Sequence, residues 1–257
     1  MIMKRIVPGL FCMLALAGCS SFKGDDEPLE GERISVLELQ QSLEPDAQSG
    51  AVPAMPPAWR NEFWPQAGGY PNHSMQNLEL GPAPLKRAWS VDIGEGTQDN
   101  LPLTAQPIVV GGQIFTIDTD FNLSAFGTET GARNWVVNIK DPQEDDAVIG
   151  GGLAFSGGYL YVTNGYDELL AVRPLDGKIM WRAHIPAPSR AAPTVMDERV
   201  YVTTLDNRLV ALSALDGKIL WQYEGITESA GLVGAASAAA SRDVVIPVFS
   251  SGEITAL

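Results

Sequence analysis

Four oxygen-bearing side chains stand at the spacing of a calcium loop: Asp118-x-Asp120-x-Asn122, with Glu129 at the twelfth position. Hard oxygen donors in that pattern are what Ca²⁺ takes, but the sixth position must turn sharply and is normally glycine. Here it is Leu123, and the segment aligns with Asn164–Glu168 and Leu205–Arg208 further on. We read a β-hairpin tip and assign no metal. The run Asp141-Pro142-Gln143-Glu144-Asp145-Asp146 reads as a solvated loop. His73 and His184 lie over a hundred positions apart, with no Ser or Cys nucleophile in context, so no catalytic residue is assigned. With 17 Lys+Arg against 31 Asp+Glu, the net charge of −14 repels nucleic acid and excludes it as a partner.

The chain has two cysteines, Cys12 and Cys19. Lys4 and Arg5 precede an apolar stretch, Ile6 to Leu16, interrupted only by Pro8 and Gly9. That stretch is too short to span about 30 Å of hydrocarbon as a helix and reads as a signal-peptide core over residues 1–18. Leu16-Ala17-Gly18-Cys19 resembles the bacterial lipobox. Its small residues suit a lipoprotein signal peptidase, and the Cys19 thiol is the expected acylation point. An ordinary secretory signal cleaved near Ala17 or Cys19 is the alternative, and it too exports the chain. Cys12 leaves with the signal, so the mature chain keeps no pair for a disulfide. Ser20 and Ser21 follow Cys19, with no Asp behind it; under the enterobacterial sorting pattern, which this resembles, the destination is the periplasmic face of the outer membrane. The membrane is then met through the lipid anchor alone.

Residues 19–58 read as an acidic, flexible tether with scattered prolines, too polar to order itself. A flexible chain of about 40 residues reaches roughly 35 Å r.m.s.. The patch Ile34-Ser35-Val36-Leu37-Glu38-Leu39 is its one apolar interruption, either a docking strand or one helical turn. Residues 59–84 read as an irregular lead-in lying over the domain that follows.

Internal repetition sets the expected fold. Trp89, Trp135, Trp181 and Trp221 are spaced 46, 46 and 40 residues apart, and a turn glycine stands four residues before three of them: Gly131, Gly177 and Gly217. Ahead of each glycine the same strand pattern recurs, as in Tyr159-Leu160-Tyr161-Val162-Thr163 with Leu169-Leu170-Ala171-Val172, then Arg199-Val200-Tyr201-Val202-Thr203 with Leu209-Val210-Ala211-Leu212. Four short strands per unit of about 40–46 residues, joined by tight turns, predict an all-β fold, a β-propeller of four-stranded antiparallel blades over residues 85–257. Counting strands gives one Trp-bearing strand at 85–93, three complete blades, and three further strands near 235–240, 243–249 and 252–257.

The wording of the repeat is more specific than its period. Leu169–Trp181 (LLAVRPLDGKIMW) and Leu209–Trp221 (LVALSALDGKILW) resemble the pyrroloquinoline-quinone-type propeller repeat. With the lipobox, the acidic tether and Leu85–Gly96 (LKRAWSVDIGEG), the resemblance narrows to BamB-type lipoproteins of the outer-membrane β-barrel assembly machinery. It implies a scaffold rather than an enzyme, whose partners are the machinery's central β-barrel component and unfolded outer-membrane proteins. It also implies an eight-bladed ring, of which this chain would hold about half; a self-closed four-bladed ring is the other reading of the strand count. The loop Ile226–Gly234 would carry the partner contact through Leu232, with Val233 standing where that family has arginine. A fragment of a quinoprotein dehydrogenase is the enzyme alternative. Such enzymes stack their quinone between a tryptophan and a vicinal disulfide and use an Asp base with Ca²⁺. This chain has no such cysteine pair, and its tryptophans recur once per blade as packing residues do, so no cofactor is expected.

Overall fold

Both faces of the middle strands are apolar, and that dictates sheets stacked face to face. The computed structural model describes residues 54–141, 143, 146–228 and 235–257. Three four-stranded antiparallel sheets follow one another in it. The first holds β1 (Ile108–Val110), β2 (Gln113–Ile117), β3 (Asn122–Gly127) and β4 (Arg133–Asn138). The second holds β5 (Leu153–Ser156), β6 (Tyr159–Thr163), β7 (Glu168–Val172) and β8 (Ile179–His184). The third holds β9 (Thr194–Met196), β10 (Arg199–Thr203), β11 (Arg208–Ser213) and β12 (Ile219–Glu224). A fourth begins with the short pair β13 (Ala239–Ala240) and β14 (Val245–Ile246). The chain is all-β, with no helix among the described residues, and its sheets are propeller blades.

Period-two alternation distributes each strand between two neighbours. In β6, Leu160 and Val162 join the core shared with the first blade, while Tyr161 joins the core shared with the third. In β11, Val210 and Leu212 face the second blade, whereas Leu209 and Ala211 face the fourth. Each core layer therefore lies between blades, and a blade buries its apolar faces only by stacking. The first strands of successive blades sit side by side, β1 by β5, β5 by β9 and β9 by β13.

The turn joining the first two strands of each complete blade has two residues, both at positive φ: Gly111-Gly112, Gly157-Gly158 and Asp197-Glu198. That is the hairpin turn whose twist matches the flanking strands. Each third strand shifts register against its fourth, after Ala125, Ala171 and Ala211, with Trp135, Trp181 and Trp221 directly opposite those alanines.

Two expectations are corrected. Residues 85–93 form no strand. Regular blade structure begins at Ile108. The last unit is a short pair rather than three full strands, extended by a Val248–Ile254 bridge and by two backbone bonds between Val245 and Leu257. The lead-in proves more ordered than an irregular cover. Trp59 bridges Leu78, Trp64 bridges Val109 and Gln66 bridges Ala154.

Candidate functional site

The repeated tryptophans and glycines meet across blade boundaries. A Cβ built on Gly131 would lie 2.7 Å from the Trp89 ring, one on Gly177 would lie 2.8 Å from Trp135, and one on Gly217 would lie 2.9 Å from Trp181. Each glycine also has φ near +70° (69°, 72° and 72°), a conformation that disfavours any side chain. Trp135 and Trp181 thus each rest on the turn of the next blade, and Trp89, ahead of β1, rests on the turn of the first. Trp89 Nε1 donates to the Thr128 carbonyl and Trp135 Nε1 to the Pro174 carbonyl, both at 2.9 Å. Within each blade the same indole tilts against an aromatic ring of the second strand: Phe115 with Trp135, Tyr161 with Trp181, and Tyr201 with Trp221, at 5.9–6.0 Å between centroids. Trp221 is 37% exposed, and its neighbours Ile219 and Leu220 on β12 are exposed too. Beside it is a cleft of about 390 Å³ lined in part by Arg199, Tyr201, Arg242 and Leu257.

The calcium-like motif is spent on its own hairpin. Asp118 accepts from the Asp120 and Asn122 amides through Oδ1, and from Asn122 Nδ2 and the Glu95 amide through Oδ2. Asn164 and Thr204 hold the corresponding turns of the next two blades. Among the described residues no group of His, Cys, Asp and Glu gathers at metal-binding distances. His184 lies on the surface, 3.6 Å from Asp167. Burial lowers the His73 pKa, and burial raises that of Tyr161. Leu232 and Val233 lie outside the described residues, as do Cys19, the signal segment, all but the last residues of the tether, and Pro142, Glu144 and Asp145 of the acidic loop.

A further polar cluster joins the second blade to the first. Glu168 is 3% exposed and accepts from Asn164 Nδ2 at 2.7 Å and Arg182 Nη1 at 2.6 Å. The same guanidinium reaches the Ile139 and Lys140 carbonyls of the preceding blade at 3.4 Å. A glutamate opening an otherwise apolar strand, Glu168-Leu169-Leu170-Ala171-Val172, was the available signal. Its partner sits on the paired strand, Leu170 opposite Arg182, which sequence spacing alone does not reveal.

The residues present do not fit a quinone held between an indole and a vicinal disulfide. The two cysteines are seven positions apart, and the repeat indoles of Trp89, Trp135 and Trp181 are already seated on glycines.

Comparison with known proteins agrees with the blade architecture. BamB from Moraxella catarrhalis superposes with a TM-score of 0.50 at 18% identity, over 64% of this chain and 47% of that one. A quinohemoprotein alcohol dehydrogenase from Comamonas testosteroni does so with a TM-score of 0.51 at 23% identity, over 66% and 28%. Both likenesses establish the fold alone. By sequence, the outer membrane protein assembly factor BamB of Salmonella typhimurium is 22% identical over 198 residues, which are 76% of this chain and 40% of that protein. This chain therefore spans about two fifths of that relative's length. The family model described as outer membrane protein assembly factor BamB matches residues 119–257, more than half of the chain, and the chain belongs to that family.

Proposed function

We propose that this chain is a lipid-anchored scaffold on the periplasmic face of the outer membrane. It holds the central β-barrel component of the assembly machinery and assists the insertion of unfolded outer-membrane proteins. The family match across residues 119–257 carries the reading. The blades supply a rigid frame, since every core layer is shared by two of them. Loops on such a frame can present side chains to a partner without a large ordering cost. The contact is assigned to Leu232 and Val233 in the loop after the third blade. Cys19 supplies the anchor, and the segment behind it supplies reach.

The test is co-purification of the full chain with the barrel component, identified by mass, from envelope extracts. Leu232→Asp should lower recovery of that component about tenfold or more, as loss of a buried interface anchor does, while β-sheet circular dichroism and melting midpoint stay near wild type. Undiminished recovery would remove this loop from the interface, and failure of the unmodified chain to recover the component would overturn the scaffold reading. Dye reduction on adding quinone, Ca²⁺ and an alcohol would replace it with the dehydrogenase alternative.

A further inference from the structure

The first strand of each blade is a sheet edge, and its outward N–H groups need acceptors. Four of these groups occupy one equivalent position. Val109, Phe155, Val195 and Ala240 each stand just before the residue that closes the first hairpin of their blade: Val110 with Gln113, Ser156 with Tyr159, Met196 with Arg199, and Ser241 with Val244. All four amides donate to a single short stretch of the lead-in. Val109 N–H reaches the Trp64 carbonyl at 2.9 Å, Phe155 N–H the Pro65 carbonyl at 2.7 Å, and Ala240 N–H the Pro71 carbonyl at 2.7 Å. Val195 N–H reaches the Gln66 side-chain oxygen at 3.0 Å, and Gln66 Nε2 returns a bond to the Val195 carbonyl at 2.9 Å.

The chemistry of residues 64–71 suits this task. Trp64 exchanges both backbone bonds with Val109, at 2.8 and 2.9 Å, as a paired strand residue does. Pro65 and Pro71 lack N–H groups and contribute only acceptors, so neither leaves an orphan donor. Gln66 is 3% exposed, and its amide mimics a strand residue by bonding both the N–H and the C=O of Val195. A tight turn, with paired bonds between Gln66 and Gly69, then redirects the chain toward the fourth blade. Gly69 has φ +102°, a conformation that disfavours any side chain, and a Cβ there would also crowd the Met75 side chain.

We propose that the inner edges of the four blades form an acceptor site for an extended polypeptide segment, which residues 64–71 occupy intramolecularly. Recognition is by backbone pairing at successive sheet edges, a mode that reads an unpaired, extended chain rather than particular side chains. When this strap lifts, four equivalent amides become available together to an unfolded polypeptide. The assignment stands on the geometry of the lead-in and is independent of the barrel partner and of Leu232.

The experiment replaces residues 81–84, an exposed stretch, with a protease site in the full chain. After cleavage the N-terminal fragment should stay with the blades on gel filtration, held by the strap alone. Excess fluorescein-labelled peptide of residues 60–80 should displace it, leaving folded blades bound to peptide. The Gln66→Met peptide, which loses both side-chain bonds, should compete at least about tenfold more weakly. The Gly69→Ala peptide, which cannot form the turn, should be weakened as well. Immediate loss of the unmodified fragment would overturn the proposal, because the edges would then hold nothing. Unfolding of the blades as the fragment leaves would also overturn it, because the strap would be core rather than ligand. Equal competition by all three peptides would overturn the assigned contacts.

Discussion

An indole that rests on a glycine of the next blade couples two residues 42 positions apart, Trp135 and Gly177. Gly177→Ala should destabilise by about 2–3 kcal/mol: about 1 kcal/mol for a side chain at φ +72°, the rest for displacing the ring. In a Trp135→Ala background only the backbone share should remain, so a double-mutant cycle on denaturant midpoints should show about 1–2 kcal/mol of coupling. Additive effects would dismiss the contact. Trp181→Ala should cost about 3 kcal/mol, the low end for an indole, since Trp181 is only half-buried. The tryptophan and glycine spacing was plain in the sequence. Which glycine each ring meets was not, because that depends on the step from one blade to the next. Glu168 and Arg182 were missed for a related reason: they meet across paired strands and then reach a third segment.

Hairpins and turns are where local chemistry was most legible. The Asp-Gly-Lys turns at 176–178 and 216–218 hold their own charges. A hydrogen bond from Arg173 brings the Asp176 pKa down to about 2, and one from Lys218, with help from Ser213, does the same for Asp216. Depressed acid pKa values stabilise the fold above the ordinary value of 3.8, and that share disappears as pH falls from there toward about 2. The double variant Asp176→Asn/Asp216→Asn should therefore lower the denaturant midpoint at pH 6 and show a flatter decline between pH 4 and pH 2. A wild-type slope in that window would show that these turns carry no acid sensitivity. The lead-in was the least legible element. Pro65, Gln66 and Pro71 read as irregular because they carry no strand periodicity, and their partners are backbone amides that any residue provides.

At the scale of the whole molecule, export and stacking are separate matters. Cys19→Ser should leave the protein uncleaved by the lipoprotein peptidase and shift its gel mobility, since the thiol that would carry the lipid is gone and the signal segment stays attached. A mature protein whose mass lacks lipid would refute the anchor. The all-β class, the period of about 40–46 residues and the three complete blades were determined by the sequence alone, because turn glycines and alternating apolar residues act over a few neighbours. The tertiary structure alone decided that residues 85–93 form no strand and that residues 64–71 bind four sheet edges. Those outcomes depend on which backbone groups are left without partners after the blades stack, and no local pattern records that.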